Sequence, residues 1–328
     1  MDLKQMQYFL CLAEVGNVTR AARQLNIVQP ALSMQIAKLE AEFGQRLFDR
    51  TAHGVATTVA GEALARLLTP IVRDVEHARQ EMARFDGRVS GRVVAGLITS
   101  VAQSTLASSS ARIAAEYPDV ALSACEGYTQ TLMDWVTTGQ LDLAIINAPK
   151  QRRGLNAQHI LDEEMVFACR QGAPYPAPAR LTFADLAGFD LVMPSKRHGL
   201  RMILEEQAAE AGIELNPRLE IDTLSAICEV VATTDLVTVL PTIALHQALA
   251  AGRVRAYHFA VPSLTRSIAV VHHPRRSVSA AANAVVEVIR QDLVAAASSA
   301  ARFVHPAGEE APAAGTGGRR RRGKTAKS

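Results

Sequence analysis

The chain has 328 residues, 48% hydrophobic and 20% charged, with four cysteines and a net charge of +3; this is enough for about two or three domains with their own cores, in a protein of ordinary soluble composition. No run of 18 or more apolar residues and no basic segment followed by an apolar core occurs, so neither a membrane span nor an export leader is expected and the protein is read as cytoplasmic. Residues 305–328 hold six Lys/Arg against two Glu, a balance of +4 that leaves −1 for the rest, while Cys11, Cys125, Cys169 and Cys228 lack the spacing of a zinc site or disulfide framework.

Leu3, Met6, Phe9, Leu10 and Ala13 make one apolar stripe, so residues 3–15 read as a helix stopped by Gly16. Thr19 is the expected N-cap of the next helix, in which Ala21 and Ala22 supply small side chains for a close helix crossing. After Asn26-Ile27-Val28, Pro30 suits the first turn of a second helix with Leu32, Ile36, Leu39 and Phe43 on one face. This is helix, tight turn, helix. The opposite face carries Gln29, Ser33, Met34, Gln35 and Lys38, side chains that can bond base edges and phosphate oxygens; alone, the same pattern would also fit a small hairpin with a solvated face. Gly44 ends the run. Leu47-Phe48 then anchors a β-hairpin with its tip at residues 52–54, where Arg50 and His53 point either to a DNA backbone or minor groove or simply to solvent.

From Gly61 the apolar residues Leu64, Leu68, Ile71, Val75, Ala78, Met82 and Phe85 keep a heptad seam, which predicts a helix whose economical partner is a second copy of the chain. Pro70 falls inside it and should kink or interrupt it. DGRVSGRV, residues 86–93, is a hinge. Beyond it, strand candidates at 93–98, 120–125, 141–146, 165–169, 191–193, 219–221, 236–240 and 268–271 alternate with helices near 102–116, 129–138, 200–211, 225–233 and 278–297, an α/β pattern with mostly parallel sheets.

In such sheets ligands bind beyond the carboxyl ends of strands, where helix N-termini offer unpaired N–H groups. Thr99, Ser100, Thr129, Ser195 and Thr223 stand at these places and favour a small anion such as a carboxylate, while His198 and Arg201 are read equally as sources of extra charge or as surface residues. Each hydroxyl could equally be a helix cap. No phosphate loop, HExxH or GxSxG occurs, and His272-His273 would point to opposite faces of a strand. No catalytic residue, metal or cofactor is assigned.

The pieces MDLKQMQYFLCLAEVGNVTRAA, QPALSMQIAKLE, RLFDRTAHGV and TTVAGEAL, in order and without a gap across residues 1–62, resemble the winged helix-turn-helix of LysR-type transcriptional regulators. The resemblance implies that Gln29, Pro30, Ser33 and Gln35 lie at the DNA surface and that Arg50 to Thr58 form a wing. Val28 departs from the family's usual Ser, which removes a side-chain cap worth about 1 kcal/mol, and Thr57 from its usual Leu. EGYTQTLMDWVTTGQLDLAI, MPSKRHGLR and LVTVLPTIAL are similar to the family's two-lobed, periplasmic-binding-protein-like effector domain, and this similarity raises Ser100, Thr129 and Ser195 above the capping explanation.

The expected architecture is α+β and multidomain: a winged helix-turn-helix over 1–58, a linker (dimerisation) helix over 59–87, a hinge at 88–91, an effector domain over 92–303 and a disordered basic tail over 304–328. Lobe I would take about 92–160 and 267–297, and lobe II about 161–266. The expected function is a non-enzymatic, sequence-specific DNA-binding regulator, a dimer through 61–85 and a homotetramer overall, controlled by a small anionic metabolite between the lobes, with RNA polymerase as a further partner. DNA contacts are expected from Gln29, Pro30, Ser33, Met34, Gln35, Lys38, Arg50 and His53. The rival is a small-molecule-binding or enzymatic α/β domain whose helix-turn-helix serves only dimerisation. Residues 1–58 carry six Lys/Arg and five Asp/Glu, so one head attracts DNA weakly and needs a second head or the tail. Deleting residues 305–328 is expected to lower affinity for random DNA at low salt; in a salt titration, an unchanged slope excludes the tail as a phosphate binder.

Overall fold

The computed structural model describes residues 1–51, 54–83, 89–148, 154–173, 181–260 and 263–306; His53, Phe85, Gly87 and the arginine run of the tail lie outside the described residues. Two compact units divide the chain: Met1–Leu161 with Ser267–Leu293, and Asp162–Arg266 with Val294 to the C-terminus. The first unit opens with α1 (Leu3–Val15), α2 (Val18–Gln24), α3 (Gln29–Phe43), a hairpin of β1 (Phe48–Thr51) and β2 (Gly54–Thr57), and α4 (Val59–Ala83). Asn17, not Thr19, caps α2, accepting the Arg20 N–H at 3.1 Å. Following the left-handed Gly16, Asn17 holds the extended backbone that a cap needs, so the helix begins before Thr19 is reached.

Phe9, Leu12, Ala21, Ala22, Leu32, Leu39, Leu47 and Leu68 pack into one core. Ala21 and Ala22 are buried as expected of a close crossing, whereas Phe43, at the last position of α3, is 41% exposed. The expected heptad seam is divided along its length. Leu68 is buried and Leu64 packs on the head, so these two serve their own domain, while Leu67, Ile71 and Met82 are exposed. The periodicity was right, but the head's open core claims the first positions of the stripe before any second helix can. α4 also runs through Pro70 unbroken.

Between residues 91 and 147 come β3 (Gly91–Leu97), α5 (Thr99–Glu116), β4 (Val120–Glu126), α6 (Thr129–Thr137) and β5 (Leu143–Asn147). The chain continues through β6 (Asn156–Arg170), β7 (Val192–Met193), α7 (Gly199–Ala211), β8 (Leu219–Glu220), α8 (Leu224–Thr233), β9 (Thr238–Pro241) and α9 (Thr242–Ala250). It closes with β10 (Val254–Tyr257), β11 (Thr265–His272), α10 (Ala280–Ala301) and β12 (Val304–His305). In the first unit the sheet runs β11-β5-β3-β4, with β3 parallel to β4 and β5 and β11 antiparallel to β5. In the second, β6 lies between β10 and β9 and is antiparallel to both, so this sheet is less parallel than the alternating pattern implied. Two unit boundaries fall inside β6 and β11 and the third inside α10, between Leu293 and Val294.

The sequence pattern missed α9 and β10, whose short runs are interrupted by His246, Arg253 and Arg255. It also began the tail too early: Val304 and His305 pair in parallel with Ala256 and Tyr257, so the chain is tied into the second unit as far as His305. A truncation that spares β12 starts after it.

Within the first unit, α4 touches the β3–β5 sheet domain. Arg276 Nε donates to Asp74 at 2.7 Å, Arg73 lies 3.7 Å from Asp142, and a side chain on Gly139 would collide with Arg276 and meet Pro70 at 3.0 Å. Asp142 is itself held by the Val94 N–H at 2.7 Å. In the second unit, Glu163 and Arg266 are both almost wholly buried; the guanidinium gives two bonds to one carboxylate oxygen, at 3.0 and 2.6 Å. The other oxygen accepts from the Ile243 N–H at 2.8 Å and the Thr242 hydroxyl at 3.1 Å, at the start of α9. A buried charge survives only with its partners in place. Glu163→Ala should therefore cost about 3–5 kcal/mol in urea unfolding, and the paired replacement Glu163→Met with Arg266→Leu considerably less; equal losses would assign the requirement to α9 rather than to Arg266.

Candidate nucleic-acid interface and ligand groups

α2 ends where Asn26 takes the left-handed conformation (φ 53), with the Ile27 N–H bonded to the Ala22 carbonyl at 2.9 Å and the Asn26 N–H to the Arg23 carbonyl at 3.1 Å. This turn directs the chain straight into α3. Val28 at the N-cap is exposed and makes no side-chain cap bond, as its apolar character requires. With Leu32, Ile36 and Leu39 buried, α3 presents Gln29, Pro30, Ser33, Met34 and Lys38 to solvent, and Gln35 is half-buried at the margin of that face. Gln29 Nε2 bonds Ser33 Oγ at 3.1 Å, and Gln5 Nε2 of α1 donates to Gln35 Oε1 at 3.1 Å.

The wing is braced from behind. One oxygen of Glu40 accepts the Leu47 and Phe48 N–H groups at 2.8 and 3.3 Å, Thr58 caps α4 through the Gly61 N–H, and its hydroxyl donates to Arg46 O at 2.7 Å. Arg50 is exposed on β1 opposite Val55. Gly61 packs so closely that a Cβ would lie 2.1 Å from the Leu47 carbonyl oxygen. The exposed polar residues thus sit on a rigid frame.

The five hydroxyl residues divide between the units. In the first, the N-caps of α5 and α6 are Ile98 and Tyr128, neither of which makes a side-chain cap bond. Thr99 and Ser100 lie buried inside the first turn of α5, and Thr129 opens α6 with its hydroxyl oxygen buried and without a hydrogen-bond partner. In the second unit, the Ser195 N–H is held by Asp222 at 2.9 Å while its Oγ is buried without a hydrogen bond, and Thr223 is the N-cap of α8 but makes no cap bond. Capping therefore does not account for Thr129, Ser195 or Thr223. Glu163 at α9 displays, inside the same chain, how a carboxylate satisfies a helix start whose N-cap residue cannot.

His198 and Arg201 do not supply the charge expected of them. Arg201 is 1% exposed and fully engaged, with Nε on Glu205 at 2.6 Å, Nη1 on Pro194 O and Glu220 at 3.2 and 3.3 Å, and Nη2 on Leu215 O at 3.1 Å. Its role is to pin the turn that carries Ser195. His198 Nδ1 accepts the Leu200 N–H at 3.2 Å; burial pushes its pKa down to about 4, against a smaller opposing pull from Asp222, so the ring is neutral at pH 7. Asp222, which orients Ser195, went unnoticed in the sequence because only its neighbour Thr223 carried a hydroxyl. All four cysteines are free, and burial raises their pKa values, that of Cys228 to about 11, so they are protonated thiols.

Comparison with known proteins matches these two regions separately. The family model described as the bacterial regulatory helix-turn-helix protein, lysR family, matches residues 3–62, and that of the LysR substrate binding domain matches residues 86–294. The nitrogen assimilation regulatory protein nac of Escherichia coli is 27% identical over 290 residues, covering 88% of this chain and 94% of the relative. Among solved structures, a full-length OxyR variant from Pseudomonas aeruginosa superposes with a TM-score of 0.69 at 23% identity, covering 89% of this chain and 94% of the other. Full-length CbnR, solved in complex with its target DNA, gives 0.63 at 18% identity, with 89% and 100% covered. At these identities the two structures speak for the fold. With both of its parts matched by the family's own models, the chain belongs to the LysR family of DNA-binding transcriptional regulators.

Proposed function

We propose that the chain grips DNA with the N-terminal half of α3 in the major groove, through Gln29, Pro30, Ser33, Met34, Gln35 and Lys38, and with Arg50 and His53 of the wing beside it. The observation that carries this is the division of α3 into a buried apolar side and an exposed side made of groups suited to bases and phosphates. A helix used only for dimerisation has no reason to gather Gln29, Ser33 and Lys38 in the open. Two heads come together through the exposed stripe of α4, Leu67, Ile71 and Met82, which suits a two-fold DNA site. Pairing of such dimers into a tetramer and contact with RNA polymerase extend the same reading, as do a cytoplasmic location and the absence of catalysis.

The regulatory signal is a small carboxylate-like metabolite, for which Thr99, Ser100 and Thr129 are the candidate groups of the first unit and Ser195 and Thr223 those of the second. The support is chemical: uncapped helix starts carry positive dipole ends, and Thr129 and Ser195 hold buried hydroxyls with unused hydrogen-bonding capacity. Binding would shift the population of domain arrangements and, through α4, the placement of the heads on DNA.

Ser33→Ala should weaken specific and unrelated DNA alike, since a phosphate contact is blind to sequence; a loss confined to the specific site would move Ser33 to base recognition. A DNase footprint on the chain's own upstream region, taken with a panel of small carboxylates, should shorten or shift with one of them. If none alters it, the carboxylate reading falls while DNA recognition stands.

A further inference from the structure

The contact between α1 and α3 has a direction that can be traced atom by atom. It begins at a backbone group whose role is fixed by chemistry: the Asp2 N–H can only donate, and it does so to Gln5 Oε1 at 2.9 Å. The other arm of the Gln5 amide must then be its NH2 group. That group donates to Gln35 at 3.1 Å, so the atom receiving it is the Gln35 oxygen. With its oxygen turned to α1, the Gln35 amide directs its NH2 group away from α1 as its outward arm. An amide flip, normally free for a glutamine on a helix surface, is here blocked by a chain of bonds anchored in the first turn of α1. The anchor is firm, because the Asp2 carboxylate returns a bond from the Gln5 N–H at 2.9 Å and closes the capping box.

We infer that Gln5 is a positioning residue for DNA recognition: it sets the polarity of Gln35, so that Gln35 meets acceptor atoms of the DNA as a donor. The inference rests on the reading of α3 as the DNA-facing helix. Phosphate oxygens and the acceptor edges of guanine, adenine N7 and thymine O4 fit such a donor, and the exocyclic amino groups of cytosine and adenine do not. Gln5 touches no DNA in this scheme and acts only through Gln35.

Gln5→Glu tests it without dismantling the fold, because glutamate at this position preserves the capping box. One carboxylate oxygen still accepts the Asp2 N–H. The other can only accept, so Gln35 must turn its NH2 inward and present its oxygen to the DNA. A site is first selected from random DNA with the wild-type full chain, and the affinities of wild type, Gln5→Glu, Gln35→Ala and the double variant are measured on it. Gln35→Ala should lose roughly fivefold to tenfold, one hydrogen bond's worth, and Gln5→Glu at least as much. In the Gln35→Ala background, Gln5→Glu should then change nothing further. An equal Gln5→Glu loss in both backgrounds would overturn the proposal, since the new carboxylate would be repelling DNA directly; so would a Gln35→Ala variant that binds as wild type. If the wild type enriches no sequence, it is the DNA-facing reading of α3 that falls. Repeating the selection with Gln5→Glu separates the two kinds of acceptor: a changed preference at one base position assigns Gln35 to a base edge, and a uniform loss assigns it to phosphate.

Discussion

Leu68 is all but enclosed by the core of the N-terminal head, and this burial fixes the rotation of α4 about its own axis. Ile71 continues the face of Leu64 and Leu68 but lies beyond the last α4 residue buried in the head, and so is exposed, while in the same rotation Arg73 and Asp74 meet Asp142 and Arg276. The head and the junction with the sheet domain thus share the one rotation of α4 that Leu68 holds. Fully burying a leucine contributes about 1.5–3 kcal/mol, modest beside the number of features it aligns. The close approach of Gly61 to Leu47 lets α4 come near enough for this to happen.

The head was largely legible in the sequence because its signals are local. Gly16, Gly44, Pro30 and the paired alanines each act on their nearest neighbours in the chain, and the structure uses them as read. Where legibility failed, a competing partner lay far away in sequence. The stripe on α4 had the right period, but nothing in residues 61–85 says that a core built from residues 9–48 will take its first two members. Val304 and His305 looked like the start of a tail because the strand they complete, β10, was itself hidden among arginines.

The ligand groups repeat the pattern at finer scale. Hydroxyls at strand ends could be found from sequence, but their status as caps could not, since that depends on which residue holds the N-cap backbone. Ile98, Tyr128 and Pro241 take that position, and the threonines beside Ile98, Tyr128 and Pro241 fall one step inside their helices. Arg201 shows the opposite error. A basic residue near a strand end reads as a ligand anchor, yet the arginine here makes four bonds to two carboxylates and two carbonyls of its own unit.

The bonds that fasten α4 to the sheet domain are partly open to water, with Asp74 55% and Asp142 36% exposed. Ions screen such pairs over about 10 Å at ordinary ionic strength. Salt therefore acts on this protein twice, once by competing for the DNA backbone and once by weakening the ion pairs between α4 and the sheet domain. A binding curve taken against salt folds both responses into one slope, whereas the pair of Glu163 and Arg266, at 1% and 0% exposure, is shielded from such screening.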